Sequence, residues 1–194
     1  MNPSHIDISN EDLEYFAYVL KQRTGILLGE SKRTMVESRL IKRFSKLQIH
    51  RSADYRRILA ADSDELQEFI NLLTTNLTNF YREPKQIHFM SQTVVPNFLK
   101  TYDDKPFMVW SAASSTGEEP YTIALALAKI RMSNLSFNFR VLASDIDTQV
   151  LQVAEEGIYD TDKVHGVVPV DLMHKYFLRG KGSYQNSYKI SDEL

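Results

Sequence analysis

The chain has no cysteine, a single tryptophan, and only seven glycines and six prolines in 194 residues. The first absence excludes disulfides, thiolate metal sites and a cysteine nucleophile, and it suits a reducing compartment. Long apolar runs are also missing: nothing approaches the roughly 20 residues that a membrane-spanning helix requires. The opening segment MNPSHIDISNEDLEYF lacks both a basic stretch and an apolar core, so no secretory signal is read there. A cytoplasmic protein with no direct membrane insertion is expected. An excess of charge of one sign is missing too, the net value being −2, so no nucleic-acid partner is expected. His5, His50, His88, His165 and His174 are scattered without HxxxH spacing, and no metal site is expected from them. Ser111, Ser114 and Ser115 stand outside any GxSxG elbow, which disfavours a serine hydrolase.

What remains is an ordinary globular composition, 43% hydrophobic and 25% charged, enough for one good core or two small ones. The first third is helical in pattern. Ser9 or Asn10 caps a helix over residues 11–23, with Leu13, Phe16, Val19 and Leu20 on one face and Gly25 as its stop. A second helix, residues 31–47, carries an apolar stripe of Val36, Leu40, Phe44 and Leu47. A short third helix centres on residues 54–59 with Ser52 as cap, and a fourth covers 64–73, starting after Ser63. Residues 74–84 break the pattern. Another helix is expected over 85–102, followed by a turn at Asp103-Asp104-Lys105-Pro106.

Beyond that turn the texture changes. Phe107-Met108-Val109-Trp110 reads as a buried parallel strand, with Trp110 in the core. Pro120 sits in the first turn of a helix, where a missing N–H costs nothing, and Ile123, Ala124, Leu127 and Ile130 continue it. A second strand over 139–143 ends at Ser144-Asp145-Ile146-Asp147, and a helix over 148–156 stops at Gly157. Strand–helix–strand–helix is the opening of a doubly wound sheet. The tail, 176–194, alternates Tyr184, Tyr188 and Ile190 in the manner of a hairpin. The fold expected is α/β: an all-helical N-terminal domain over 1–84, including the loop 74–84, followed by the first part of a Rossmann-like domain over 85–194.

In open α/β sheets ligands bind at the carboxyl ends of the strands, which puts the loop Ala112-Ala113-Ser114-Ser115-Thr116-Gly117-Glu118-Glu119-Pro120 beside one. Its small residues let a ligand approach the backbone. It has one glycine, not three, and two carboxylates that repel a pyrophosphate. Such a loop suits a ligand with hydroxyls or positive charge, as S-adenosylmethionine has, better than NAD. Glu118 and Glu119 also have the simpler reading of complementing the helix dipole. Asp145, 28 residues beyond Gly117, stands at a strand end where an acid meets ribose hydroxyls; it could instead cap the next helix, a task for which Asp147 is better placed.

Three segments, in order, carry a resemblance: TTNLTNFYRE at 74–83, VWSAASSTGEEPYTIALALA at 109–128, and ASDIDTQVLQVAEEGIY at 143–159. Together they resemble the chemotaxis receptor glutamate methyltransferases, the CheR family, over essentially the whole chain. The resemblance implies methyl transfer from S-adenosylmethionine to glutamate side chains on the cytoplasmic helices of chemoreceptors, with S-adenosylhomocysteine as product. It makes 85–194 the first part of a methyltransferase domain and 176–194 the start of a β-subdomain. It implies that Asn76, Thr78, Arg82, Glu119 and Asp145 touch the cofactor, and that Arg82 is also the catalytic arginine. Family members continue beyond the point matching Leu194, so the chain is expected to be a truncated form with little transferase activity by itself.

A glutamate carboxylate, with a reference pKa of about 4.3, is already ionised at neutral pH and can attack a sulfonium methyl without a general base. Positioning and desolvation are then the enzyme's task, and an arginine suits a bidentate grip on the substrate carboxylate. Residues 31–57 hold nine Lys or Arg and two acids. Lys32, Arg39, Lys42, Arg43 and Lys46 fall within one arc of roughly 100° at helical spacing. A solvated face is the plain reading; the resemblance adds docking of acidic receptor methylation helices. Two further readings stay open, a non-catalytic module that binds cofactor or receptor and a nicotinamide dehydrogenase.

Overall fold

The computed structural model describes residues 8–102 and 105–194, so His5 and the Asp103-Asp104 half of the expected turn lie outside it. The chain divides into two compact units between Thr75 and Asn76.

The first unit is all helical among its described residues: α1 (Asn10–Thr24), a 3-10 turn (Glu30–Lys32), α2 (Arg33–Leu47), α3 (Ser52–Ala61) and α4 (Ser63–Leu73). Ser9 caps α1 by accepting from the Asp12 N–H, and Gly25 ends it in the left-handed region at φ 76°. Two caps differ from the sequence reading. Ser52 is the first residue of α3, its hydroxyl spent on Asp12, and Asp62 rather than Ser63 caps α4 through the N–H groups of Asp64 and Glu65. The apolar stripes converge on Phe16, Phe44, Tyr55 and Phe69, all at 0% exposure, with ring centroids 4.9–6.3 Å apart. Tilted aromatic pairs of this kind add stabilisation beyond area burial.

The second unit begins with the segment the sequence reading assigned to the helical domain. Phe80 explains the difference: it is buried against Tyr159 (4.9 Å between centroids) and Phe177 (5.9 Å), in the second unit's core. The helix expected over 85–102 runs as α5 (Pro84–Phe89), a π turn (Met90–Val94) and α6 (Val95–Thr101). Strands β1 (Phe107–Ala112) and β2 (Phe139–Ser144) pair in parallel, Phe107 opposite Phe139 through Ala112 opposite Ser144. The crossover helix α7 (Glu118–Ser133) buries Ile123 and Leu127 with Phe107 and Phe137. Pleat alternation turns the other face outward, with Met108, Trp110 and Leu142 each at least 60% exposed. This corrects the placing of Trp110 in the core. An apolar run reads as doubly buried, but here only one face is covered.

After α8 (Thr148–Glu156) comes a small antiparallel sheet ordered β3-β5-β4, from β3 (Ile158–Asp160), β4 (Phe177–Arg179) and β5 (Ser187–Ile190). Helices α9 (Thr161–Val164) and α10 (Val170–Tyr176) lie between β3 and β4. The expected hairpin is β4 with β5, whereas three-residue β3 carries no recognisable strand pattern. No helix among the described residues is long and apolar enough to cross a membrane.

Candidate functional site

The carboxyl ends of β1 and β2 meet the segment 76–83, and the loop 113–117 lies between them. That loop is unusual in its backbone: Ala113, Ser115 and Gly117 have φ of 60°, 50° and 95°. Non-glycine residues rarely hold positive φ, and such strain persists only where surroundings enforce it. Here they do. The Ser114 N–H donates to the Ser144 carbonyl (2.9 Å), the Ser115 N–H to Asp145 Oδ2 (2.7 Å), and the Gly117 N–H to the Ser114 carbonyl (3.1 Å). Behind the loop, the Tyr159 hydroxyl donates to the Thr116 carbonyl at 2.7 Å. A Cβ on Gly117 would lie 2.6 Å from Tyr159 Oη and 2.9 Å from Ala154 Cβ. The glycine is therefore demanded by the protein's own packing and by its left-handed backbone.

These bonds bear on what the loop can hold. A phosphate cradle works through backbone N–H groups aimed at the anion, and three of this loop's are already committed internally. The acids around it point to another class of ligand. Asp145 is half-buried at the end of β2, and Glu119, exposed at the start of α7, accepts from the buried Ser111 hydroxyl at 2.7 Å. A pair of acceptors without a phosphate nest fits a ligand of hydroxyls and positive charge, which is the chemistry of S-adenosylmethionine. The buried Ser114 hydroxyl, at 1% exposure, has no hydrogen-bond partner within this cradle.

The two adjacent glutamates have separate fates. Glu118 is fully buried, its carboxylate paired with Lys163 Nζ (2.5 Å) and taking the Thr116 hydroxyl (2.5 Å). Glu119 shares with Arg82 a cavity of about 210 Å³, whose lining includes Asn79, Gln86, Met90 and Thr122. Arg82 is exposed and anchored through one nitrogen, Nη1, to the Leu77 carbonyl at 2.8 Å. The backbone before it is fixed as well. The Tyr81 N–H donates to Thr122 Oγ1 (3.1 Å) on α7, and Tyr81 and Glu83 have φ of 53° and 54°. Burial, with Asp171 nearby, pushes the Tyr81 hydroxyl up to about 12, and burial beside Glu118 raises Tyr159 further, so both remain neutral hydrogen-bond donors.

Of the residues singled out by sequence, Asn76 and Asp145 come together around Ser115, and Arg82 and Glu119 line one cavity. Thr78 is half-buried in the same segment. Sequence reasoning missed Ser115, Tyr159 and Lys163 as parts of the site. The Lys163–Glu118 pair joins residues 45 apart and has no local signature.

On the helical unit the proposed docking arc needs correction. Arg43 is turned inward, binding the buried Glu65 through two nitrogens and Glu68 at 3.3 Å, with Tyr55 donating to the same Glu65 at 2.5 Å. The Glu65 carboxylate raises the Arg43 pKa, so its charge is permanent. Arg39 is spent on the carbonyls of Leu72 (2.8 Å) and Thr74 (2.6 Å) at the end of α4, where a cation suits the helix dipole. Lys32, Lys42 and Lys46 remain exposed. Among the described residues no group of three or more potential metal ligands is found.

Two family models match. Residues 11–74 match the CheR methyltransferase all-alpha domain and residues 76–194 the CheR methyltransferase SAM binding domain. The chain is 41% identical over 97% of its length to the chemotaxis protein methyltransferase of Klebsiella aerogenes, covering 63% of that protein. It is 38% identical to the chemotaxis protein methyltransferase of Escherichia coli K12, over 96% of this chain and 63% of the relative. With the chemotaxis protein methyltransferase 2 of Pseudomonas aeruginosa, identity is 36% over 96% of this chain and 65% of the relative. The chain thus spans somewhat under two thirds of the length of these relatives.

Proposed function

Because the chain belongs to the CheR methyltransferase family, we propose that it serves the transfer of a methyl group from S-adenosylmethionine to glutamate side chains of chemoreceptors, yielding S-adenosylhomocysteine. The observation that carries this reading is the meeting of Asn76 with Asp145 at the strand ends and of Arg82 with Glu119 in one cavity, with the loop N–H groups withdrawn from anion binding. We assign cofactor contacts to Asn76, Thr78, Arg82, Glu119 and Asp145.

When bound, the cofactor supplies a methyl activated by a sulfonium. A receptor glutamate, already a carboxylate at neutral pH, would need no general base to accept that methyl. Arg82 keeps donors beyond the one given to Leu77, and these grip the substrate carboxylate and aim it. An arginine placed to stabilise the sulfonium would set two cations together, so its catalytic task lies on the substrate side and its cofactor contact away from the sulfonium. Glu119, oriented by Ser111, and Asp145, oriented by Ser115, offer acceptors to the cofactor's charge and hydroxyls.

We assign receptor docking to the exposed lysines of α2 and the turn before it, Lys32, Lys42 and Lys46, facing acidic methylation helices. The test is calorimetry of the chain with S-adenosylmethionine, together with methyl transfer from labelled cofactor to receptor in the longer family architecture. Arg82→Ala is expected to keep most cofactor affinity and lose transfer by on the order of 100-fold. Near-normal turnover of that variant would remove Arg82 from the chemistry.

A further inference from the structure

Four residues from three distant segments close a hydrogen-bonded ring. Asn76 Nδ2 donates to Asp147 Oδ2 at 2.6 Å, across 71 residues of sequence. The Asp147 N–H donates to Asp145 Oδ1 (3.0 Å), the Ser115 N–H donates to Asp145 Oδ2 (2.7 Å), and Ser115 Oγ returns to the Asn76 carbonyl (3.1 Å). Asn76 and Asp145 are only half-buried, whereas Ser115 and Asp147 are 7% and 2% exposed. The ring therefore has two outward members able to meet a ligand and two inward members that cannot.

We propose that Ser115 and Asp147 are positioning residues, which register the segment 76–83 against the end of β2 and fix the orientation in which Asn76 and Asp145 meet the cofactor. This rests on the reading of Asn76 and Asp145 as cofactor contacts. The chemistry is directional. A carboxylate only accepts, so Asp147 dictates that the nitrogen edge of the Asn76 amide faces it, and an amide's two edges present opposite hydrogen-bonding character to a ligand. Asp145 has one backbone N–H on each oxygen, which sets the plane of its carboxylate. Ser115 couples the two, one bond through its N–H and one through its hydroxyl, and that double commitment holds it at φ 50°. Loosening any one member loosens both cofactor contacts, and preorganised groups lose affinity when they must be ordered on binding.

Asp147 does two jobs that substitutions can separate. Its Oδ1 caps α8 by accepting from the N–H groups of Gln149 (2.9 Å) and Val150 (3.3 Å), while Oδ2 holds Asn76. Asp147→Ser keeps a capping oxygen and removes the acceptor for Asn76. Asp147→Asn also keeps the cap but sets an amide nitrogen against the Asn76 amide, turning it over. Ser115→Ala removes the hydroxyl bond and leaves the N–H bond to Asp145 in place.

The experiment titrates S-adenosylmethionine into the full chain and its variants by calorimetry, with thermal unfolding and the Asn76 side-chain amide resonance of the ligand-free protein as companion readouts. Each of the three variants is expected to weaken binding roughly tenfold, the worth of one net hydrogen bond. The thermal midpoint should stay close to the parent's, and the Asn76 amide resonance should move in both Asp147 variants. Unchanged affinity in all three, with Asn76→Ala and Asp145→Ala still abolishing binding, would overturn the positioning role and leave the cofactor reading intact. A midpoint that falls in step with affinity would reduce Asp147 to its helix cap and overturn the proposal. Absence of binding to the parent, or binding that ignores Asn76→Ala and Asp145→Ala, would overturn the cofactor reading and this inference with it.

Discussion

At the scale of single residues, charge in this protein is used inward more than its sequence suggests. Arg43 sits on the basic arc of α2, yet its guanidinium serves Glu65 within the helical core, with Tyr55 completing the set. Removing one partner of such a pair strands the other, so Arg43→Ala is expected to destabilise the unit by about 3–5 kcal/mol, read by urea denaturation. A loss under about 1 kcal/mol would mean the pair is effectively solvated. Asp12 is a second inward charge. Burial pushes its pKa up, but the hydroxyls of Ser52 and Ser9 and the Arg56 guanidinium outweigh that and hold it below the usual 3.8. A carboxylate with a depressed folded pKa contributes stability that is complete above its unfolded pKa and lost as pH falls through the folded one. The helical unit should therefore weaken below about pH 4. Asp12→Asn should be less stable than the parent at pH 7, and the difference should shrink as acid protonates the parent. Asp145 and the loop before Glu119 stood out in the sequence as the ends of two strands, whereas Asn76 was marked only by the resemblance to the CheR family. The bonds that Ser115 and Asp147 make to Asn76 and Asp145 were not legible, since they span up to 71 residues and, at Ser115, need a left-handed backbone that no local pattern announces.

At the scale of elements, the loop 113–117 joins fold to site. It runs through left-handed conformations at three of its five residues, and Tyr159 and Ala154 pack tightly behind Gly117. Gly117→Ala meets both an unfavourable φ and a filled space, so it is expected to displace the loop and abolish cofactor binding in calorimetry. Normal affinity in that variant would mean the loop does not shape the site. For α2, Lys42→Glu with Lys46→Glu should weaken and slow receptor association and flatten its salt dependence, measured by surface binding across ionic strengths. Reversal at Arg39 or Arg43 cannot make this test, because it would disturb the fold itself. The helical stripes, the β1–α7–β2 crossover and the β4–β5 hairpin were legible from periodicity and turn residues. Three-residue β3 and the π turn at Met90–Val94 were not, being too short to show a period. Trp110 went astray for a related reason: a run of apolar residues does not tell which face of a sheet is covered.

At the scale of the whole molecule, the sequence reading set the division after residue 84, whereas the chain divides between Thr75 and Asn76, with Phe80 in the core of the second unit. The segment 76–83 is polar enough to read as a linker, but its one buried aromatic binds it into the second unit. That placement matters, because it brings Asn76 to the end of β2 beside Asp145 and Arg82 into one cavity with Glu119 at the start of α7. The central claim, that this arrangement holds a cationic, hydroxyl-bearing nucleoside and not a dinucleotide, is tested most directly by calorimetric titration of the chain with S-adenosylmethionine, S-adenosylhomocysteine and NAD. The account predicts saturable binding of the first two, lost in Asp145→Ala, and no heat with NAD. Binding of NAD, or S-adenosylmethionine affinity indifferent to Asp145→Ala, would contradict it.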